Sequence, residues 1–427
     1  MEFTNRGPYV IVAPGESAIA VLDVAPRSSM TGKIKLRNIL VFLCACLVVS
    51  SSGCRKPEAV NRPPQLPKYD EIVIAAVGDI MMPASIQDAV IRNDYDYSIV
   101  FSEIRRDMSA DLVFGNLETP VDHESEVSGY PRFNARPELL SAIKQAGFNI
   151  LSVANNHILD SGLEGLTRTL DNLDAAGLHY IGAGRTREES EQILSVKVRN
   201  ITTAFLAYTF ATNRGFSEQI KDSPVVNILR PGDDHELAMA VQSIQKVRPT
   251  SDLVIVSLHW GVEYELEPTP KQRRTAEALI EAGADIILGH HPHVLQPIET
   301  YTATDGRQGL IAYSLGNFTS SQNYSIGYEN RDDVRARRGD EIILALTVRK
   351  EGEKITIPRA EFLPIWNSPR KAGPTTVYRP ICIPREIIHL TAMPQRTMDD
   401  ENLLSLLAYR QRIIVERLAP GPPAKEQ

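Results

Sequence analysis

The chain has 427 residues, 43% of them apolar and 23% charged, with a formal net charge of −7. That balance excludes a disordered or fibrous polymer and allows one large domain or two smaller ones. Five basic and three acidic side chains give residues 1–54 a net +2, so the remainder carries −9; broad nucleic-acid binding, which wants a basic face, is not expected.

The N-terminal elements read as an export signal. Lys33, Lys35 and Arg37 precede the eleven-residue apolar run Ile39–Val49, and Ser50-Ser51-Ser52-Gly53-Cys54 follows. A basic, apolar, small-residue order is the plan of a secretory signal, and the run is too short to span a bilayer comfortably. Met30 stands where a normal start would, so residues 1–29 are expected to be a misassigned extension. The small residues before Cys54 resemble a lipoprotein processing site, although Ser51 occupies a position usually aliphatic. Lipidation at Cys54 would anchor the protein at the extracytoplasmic face of the membrane; simple cleavage and an uncleaved anchor are the alternatives. Cys44 and Cys46 fall inside the apolar run, so only Cys382 remains and no internal disulfide is expected. Arg55–Lys68, with four prolines, reads as a tether.

From Glu71 onward apolar runs alternate with amphipathic ones. Ile72–Val77, Leu112–Phe114, Ile150–Ala154, Thr203–Tyr208, Leu253–Leu258, Asp285–Leu288 and Leu310–Tyr313 read as strands. Glu138–Ala146, Leu163–Ala176, Asp234–Val247 and Arg273–Ala282 read as helices, three of them stopped by Gly147, Gly177 and Gly283. The alternation predicts βα units and a largely parallel sheet. Arg331–Asp340 is expected to be a solvated, charge-dense loop. Glu341–Arg349 and Lys354–Phe362 form a hairpin expected to complete a second sheet. Asn367–Pro394 is proline-rich and expected to be irregular, and Asp399–Leu418 helical, with Ala419–Gln427 fraying. No strand or candidate ligand is expected before Glu71, so the domain is placed at 70–365, followed by a C-terminal segment and helix.

Five of these strands deliver polar groups at their C-terminal ends, where open α/β folds bind ligands. They are Asp79, then Glu118, then Asn155-Asn156-His157 with Asp160, then His259 with Glu263, then His290-His291-Pro292-His293. One such residue means little, since an Asp after a strand often caps a helix and an Asn pair often makes a turn. Five in series point to a site. Mixed imidazole and oxygen donors suit Zn, Mn or Fe better than Ca.

The motifs Gly78-Asp79-Ile80-Met81, Asn116-Leu117-Glu118, Asn155-Asn156-His157, His259-Trp260-Gly261, Gly289–His293 and Tyr313–Phe318 occur in an order that resembles the CapA family of capsule proteins, associated with poly-γ-glutamate synthesis and export. That family is in turn similar to calcineurin-like metallophosphoesterases. The resemblance implies an α/β fold, a four-layer αββα sandwich of metallophosphoesterase type, with a dinuclear metal centre. It implies Asp79 as a ligand to one metal with His293, Glu118 as the bridging carboxylate, and Asn156, His259 and His291 as ligands to the second metal. His157 takes the role of proton donor. Two departures from the metallophosphoesterase pattern matter: Met81 replaces an expected histidine, and Glu118 replaces an expected aspartate.

A two-metal site can activate water and polarise a phosphoester or an amide, including a γ-glutamyl link. The resemblance therefore implies a metal-dependent hydrolase trimming, cleaving or transferring poly-γ-glutamate or a related anionic polymer beside membrane-bound capsule synthesis proteins. A non-catalytic accessory guiding the polymer and an envelope phosphoesterase are the alternatives. Glu263, Asn317, Arg132 and Arg136 are candidates to contact substrate, Asn317 as pocket wall; Lys271, Arg273 and Arg274 are further cations, and His290 is expected to be structural.

Overall fold

Apolar runs without alternation need cover on both faces. The chain supplies it by laying two sheets together with helices outside. The computed structural model describes residues 10–12, 69–214, 225–373 and 375–418, all in one compact unit. The predicted signal, Cys54, the tether and residues 419–427 lie outside the described residues.

In chain order the elements are β1 (Val10–Val12), β2 (Asp70–Ile80), α1 (Ala84–Ile91), α2 (Ser98–Phe101), β3 (Leu112–Leu117), α3 (Glu138–Gln145), β4 (Ile150–Ser152), α4 (Gly162–Ala176) and β5 (His179–Ile181). Next come β6 (Ala183–Gly184), α5 (Arg187–Ser190), β7 (Leu194–Val198), β8 (Ile201–Thr209), β9 (Val225–Val226), α6 (Asp234–Val247), β10 (Leu253–His259), α7 (Pro270–Ala282), β11 (Ile286–His290), β12 (Ile298–Thr302) and β13 (Gln308–Ala312). The chain ends with β14 (Asn317–Thr319), β15 (Asp340–Glu351), β16 (Lys354–Ala372), β17 (Thr375–Cys382), α8 (Ile383–Ala392) and α9 (Met398–Leu418).

One sheet runs β1-β16-β15-β2-β3-β4-β5, with β14 beside β2 and β17 beside β16; the other runs β12-β13-β11-β10-β8-β7. Strands β2 to β5 are parallel, as are β8, β10, β11 and β13. Successive side chains on a strand point to opposite faces, and the packing shows it. Phe205, Ala207, Ile255, Ile286 and Leu288 join the core shared with Ile74 and Phe114 of the first sheet. Their neighbours Ala204, Val254, Val256 and Ile287 pack outward with Ile244 of α6 and Leu279 of α7. Phe114 and Phe205 stack across the sheets with centroids 6.2 Å apart. This is the expected αββα sandwich.

Five expectations are corrected. The β15–β16 hairpin does not complete the second sheet; it pairs with β2 and widens the first. Residues 367–372 and 375–392 are not irregular, since they continue β16 and form β17 and α8. Proline is tolerated where a ladder is one-sided or broken: Pro358 falls at a register irregularity, and Pro369 and Pro380 lie where β16 and β17 pair only with each other. Residues 331–340 are not simply solvated. A 3-10 turn, Val334–Gly339, tucks Ala336 and Gly339 inside, and Arg410 of α9 donates to buried Asp340 at 2.8 Å. Finally, a strand does precede Glu71: β1 pairs antiparallel with Ala360–Phe362. Helix α7 starts at Pro270 rather than Arg273, because Thr269 and Gln272 form a capping box around it.

Two glycines let the strand ends close on one another. A Cβ on Gly78 would lie 1.9 Å from the Gly316 carbonyl oxygen, and one on Gly289 would lie 1.9 Å from that of Tyr313. The first contact brings β14 beside β2 and sets Asn317 opposite Asp79.

Candidate metal centre

Asp79 sits near the end of β2, in register with Asn116 of β3 and Asn317 of β14. Asn116 Nδ2 donates to Asp79 Oδ1 at 2.8 Å, and the His291 amide donates to Oδ2 at 3.2 Å. His290 Nδ1 and His293 Nδ1 lie 3.4 and 3.2 Å from the same carboxylate. Burial works to raise the Asp79 carboxyl, but the nearby imidazoles of His290 and His293 outweigh it and hold the group well below the usual carboxylate range.

Glu118 follows β3 and is wholly buried. Neither carboxylate oxygen has a hydrogen-bond partner. His259 Nε2, at the end of β10, is 3.5 Å from Glu118 Oε1, and His293 Nε2 is 3.9 Å from it. Asn156 Oδ1 meets His259 Nε2 at 2.8 Å. Two sets of donors result, Glu118 with His291 and His293, and Asp79 with Glu118 and His259; within each set the ligand atoms lie within 4.8 Å of one another. Glu118 belongs to both, which is the placement a bridging carboxylate needs.

Electrostatics fits a cation here. Burial first, then the charges of Asp79 and Glu263, push the Glu118 carboxyl well above its ordinary range. Burial, followed by the neighbouring His291, holds the His259 imidazole well below 6.5, and burial brings His291 to about 3. Both imidazoles are therefore neutral, the form that ligates metals. A buried carboxylate with no partner costs several kcal/mol, and a divalent ion among these nitrogen and oxygen donors would remove that cost. His291 and His293 are held at φ 93° and 56°, left-handed values that a side chain adopts only where the surroundings enforce them.

His157 stands beside these donors. Its Nδ1 is 2.7 Å from Asp160 Oδ2, an oxygen that also accepts from the Phe133 amide at 2.8 Å. With Nδ1 facing a carboxylate, Nε2 is the nitrogen left to exchange a proton. Asn213 Nδ2 lies 3.2 Å from His157 Nδ1, while Asn213 Oδ1 accepts from Asn156 at 3.3 Å. The Phe133 ring meets the imidazole edge-on at 4.6 Å.

Known proteins are similar to this chain. The family model described as "Bacterial capsule synthesis protein PGA_cap" matches residues 73–322. The chain belongs to this family. It is 34% identical to the capsule biosynthesis protein CapA of Bacillus anthracis over 67% of this chain and 69% of the relative. It is also 34% identical to the PGA biosynthesis protein CapA of Bacillus subtilis, over 61% and 67%. A "Probable polyglutamine synthesis accessory protein" of Mycobacterium tuberculosis is 29% identical over 53% of this chain and 60% of its own. A solved hypothetical protein from Thermus thermophilus covers 68% of this chain and 99% of its own at 15% identity, with a TM-score of 0.38.

The capsule-family segment contains every residue that converges: Asp79, Glu118, Asn156, His259, His291 and His293, with His157 beside them. Met81 is buried where a histidine would stand, and its backbone amide donates to Thr319 at 3.1 Å. Its thioether is a weaker ligand than imidazole for Zn, Mn or Fe. His290 is buried against Phe114, with neither ring nitrogen hydrogen-bonded.

The candidate substrate contacts fare unevenly. Asn317 lies behind His293, its Oδ1 2.9 Å from His293 Nδ1, and its Nδ2 donates to the His293, Arg338 and Gln322 oxygens. Because the amide nitrogen faces three acceptors, the oxygen must face His293 Nδ1, which then carries the proton and leaves Nε2 free to ligate. Glu263 is exposed beside the cluster, near enough to raise Glu118. Arg132 is exposed in the loop before Phe133, and the Arg136 guanidinium lies over the Tyr95 ring at 4.8 Å. Arg273 is held by Glu299 at 2.5 Å.

Sequence reasoning missed several neighbours. Asn213 and Phe210 sit on the segment after β8; the Phe210 ring lies 4.8 Å from that of His291. Glu341 of β15 is wholly buried, with Asn367 donating to it. No local pattern marks them, because each reaches the site through partners distant in sequence.

Proposed function

We propose that this protein is a metal-dependent hydrolase, tethered at the extracytoplasmic face of the membrane through Cys54, that cleaves or trims poly-γ-glutamate or a related anionic polymer. The observation that carries the metal centre is Glu118, a buried carboxylate without a hydrogen bond and shared by two donor sets. Asp79, Glu118, Asn156, His259, His291 and His293 would hold one or two divalent ions. Such ions supply an activated water and polarise the bond under attack. The chain's own residues do the rest. Asp160 and Asn213 orient His157, and His157 gives a proton to the departing nitrogen or oxygen, a contribution of about 10²–10⁴ in rate. The polymer reading is supported by the CapA relatives of Bacillus, whose names tie them to capsule and PGA biosynthesis. Among the described residues no helix is long and apolar enough to cross a membrane.

A second reading, an accessory that binds the polymer without cutting it, is favoured by Met81, which removes one expected ligand. Metal analysis of the purified full chain, run beside a poly-γ-glutamate cleavage assay, separates the two. Bound metal with shortened polymer supports the hydrolase. Polymer binding with neither metal nor cleavage supports the accessory.

A further inference from the structure

Among the described residues, one cation beside the metal centre has no partner of opposite charge. Arg338 closes the 3-10 turn before β15, and its backbone oxygen accepts from Asn317, the residue that fixes His293. Its guanidinium lies 3.8 Å over the Tyr264 ring. That ring is 6.2 Å from the His293 ring, and the Tyr264 amide donates to Pro292 at 2.7 Å, inside the histidine run. Tyr264 is held at φ 67°, so its loop is pinned in a conformation that a tyrosine rarely adopts. Two contacts thus tie Arg338 to the ligand loop, one through Asn317 and one through Tyr264.

The described residues do not take up the charge of Arg338. It forms no ion pair within 4.0 Å among them, and its buried Nε has no hydrogen-bond partner. Asp333 feels its charge but is engaged by Arg335, at 2.6 Å. Two nearby arginines are neutralised, Arg335 by Asp333 and Arg410 by Asp340. A planar guanidinium stacked on an aromatic face keeps its edge free, and that edge matches two oxygens of a carboxylate or phosphate.

We propose that Arg338, stacked on Tyr264, is an oxyanion-binding residue that seats a substrate carboxylate next to the metal centre. On the reading above, that carboxylate belongs to a glutamate unit beside the scissile link. This would give an anionic polymer a local cationic contact on a domain that is otherwise acidic.

The test uses the purified full chain and two variants, Arg338→Gln and Arg338→Lys. Binding of poly-γ-glutamate of defined length and of inorganic phosphate is measured by calorimetry, with metal content and circular dichroism as controls. A charge-assisted, bidentate contact predicts that Arg338→Gln weakens polymer binding by about 10- to 100-fold. Arg338→Lys should recover only part, since an ammonium lacks the planar fork. Metal content should not change. Unaltered polymer binding in Arg338→Gln overturns the role of Arg338 and leaves the polymer reading standing. Wild type that binds phosphate and ignores the polymer, with phosphate binding lost in Arg338→Gln, keeps the oxyanion site and overturns the polymer reading. Loss of metal or of native dichroism in both variants shows that Arg338 is structural and overturns the proposal.

Discussion

A carboxylate buried without a hydrogen bond is costly unless something positive meets it, and Glu118 is in that position between His259 and His293. Glu118→Gln keeps the shape and removes the charge. It should therefore lower metal content while leaving the fold intact, checked by elemental mass spectrometry and circular dichroism. His157 behaves differently, because its contacts run to Asp160 and Asn213 rather than into either donor set. His157→Ala should keep the metal and lower turnover by about 10²–10⁴. Asp160→Asn should act in the same direction with a smaller loss. If His157→Ala strips the metal, the proton-donor role is wrong. Glu341 offers a test by pH. Burial, then the charges of Asp79 and Asp340, push its carboxyl well above the ordinary 4.5. The folded state then binds the proton more tightly than the unfolded state, so stability falls as pH rises from about 4.5 towards the folded value. Glu341→Gln removes this dependence. Urea unfolding of chelated protein between pH 5 and pH 8 should show a steeper loss in wild type than in the variant; parallel curves would contradict the assignment.

At the scale of elements, the approach of strand ends builds the site. A methyl group at Gly289 would press on the Tyr313 carbonyl and one at Gly78 on the Gly316 carbonyl, both backbone atoms that no rotamer change can clear. Gly289→Ala should cost about 1–3 kcal/mol or more in urea unfolding and lower metal content with it, since His290 to His293 follow directly. Unchanged stability would mean that the strands have room to part. These same strands were the most legible part of the sequence. Buried on both faces, β2, β10 and β11 read as unbroken apolar runs ending in polar motifs, so strand and candidate ligand were found together. The β16–β17 region was not legible, because its prolines read as loop; only the pairing pattern shows that they sit where a ladder is broken or one-sided. The outer contacts were hidden for a related reason. Asn213, Glu341 and Arg338 carry no motif: Asn213 meets His157, Glu341 meets Asn367, and Arg338 meets Asn317 behind His293, all partners distant in sequence.

For the whole molecule, the two-sheet core and the converging loops lie from Tyr69 onward, and β1 adds only an edge. A chain truncated to begin at Tyr69 should remain soluble and native by circular dichroism; an unfolded product would show that the preceding residues, β1 included, are needed. Cys54→Ala should release the protein from the membrane or block its processing, whereas retained lipid labelling would exclude that anchor. The central claim is that a metal centre on Glu118 acts on the polymer, and the most direct measurement is the chain length of poly-γ-glutamate after incubation with the full chain, first chelated and then reloaded with Zn, Mn or Fe. The polymer should stay intact with the chelated protein and shorten once metal is restored. Shortening that ignores chelation, or none by a fully reloaded protein, would contradict it.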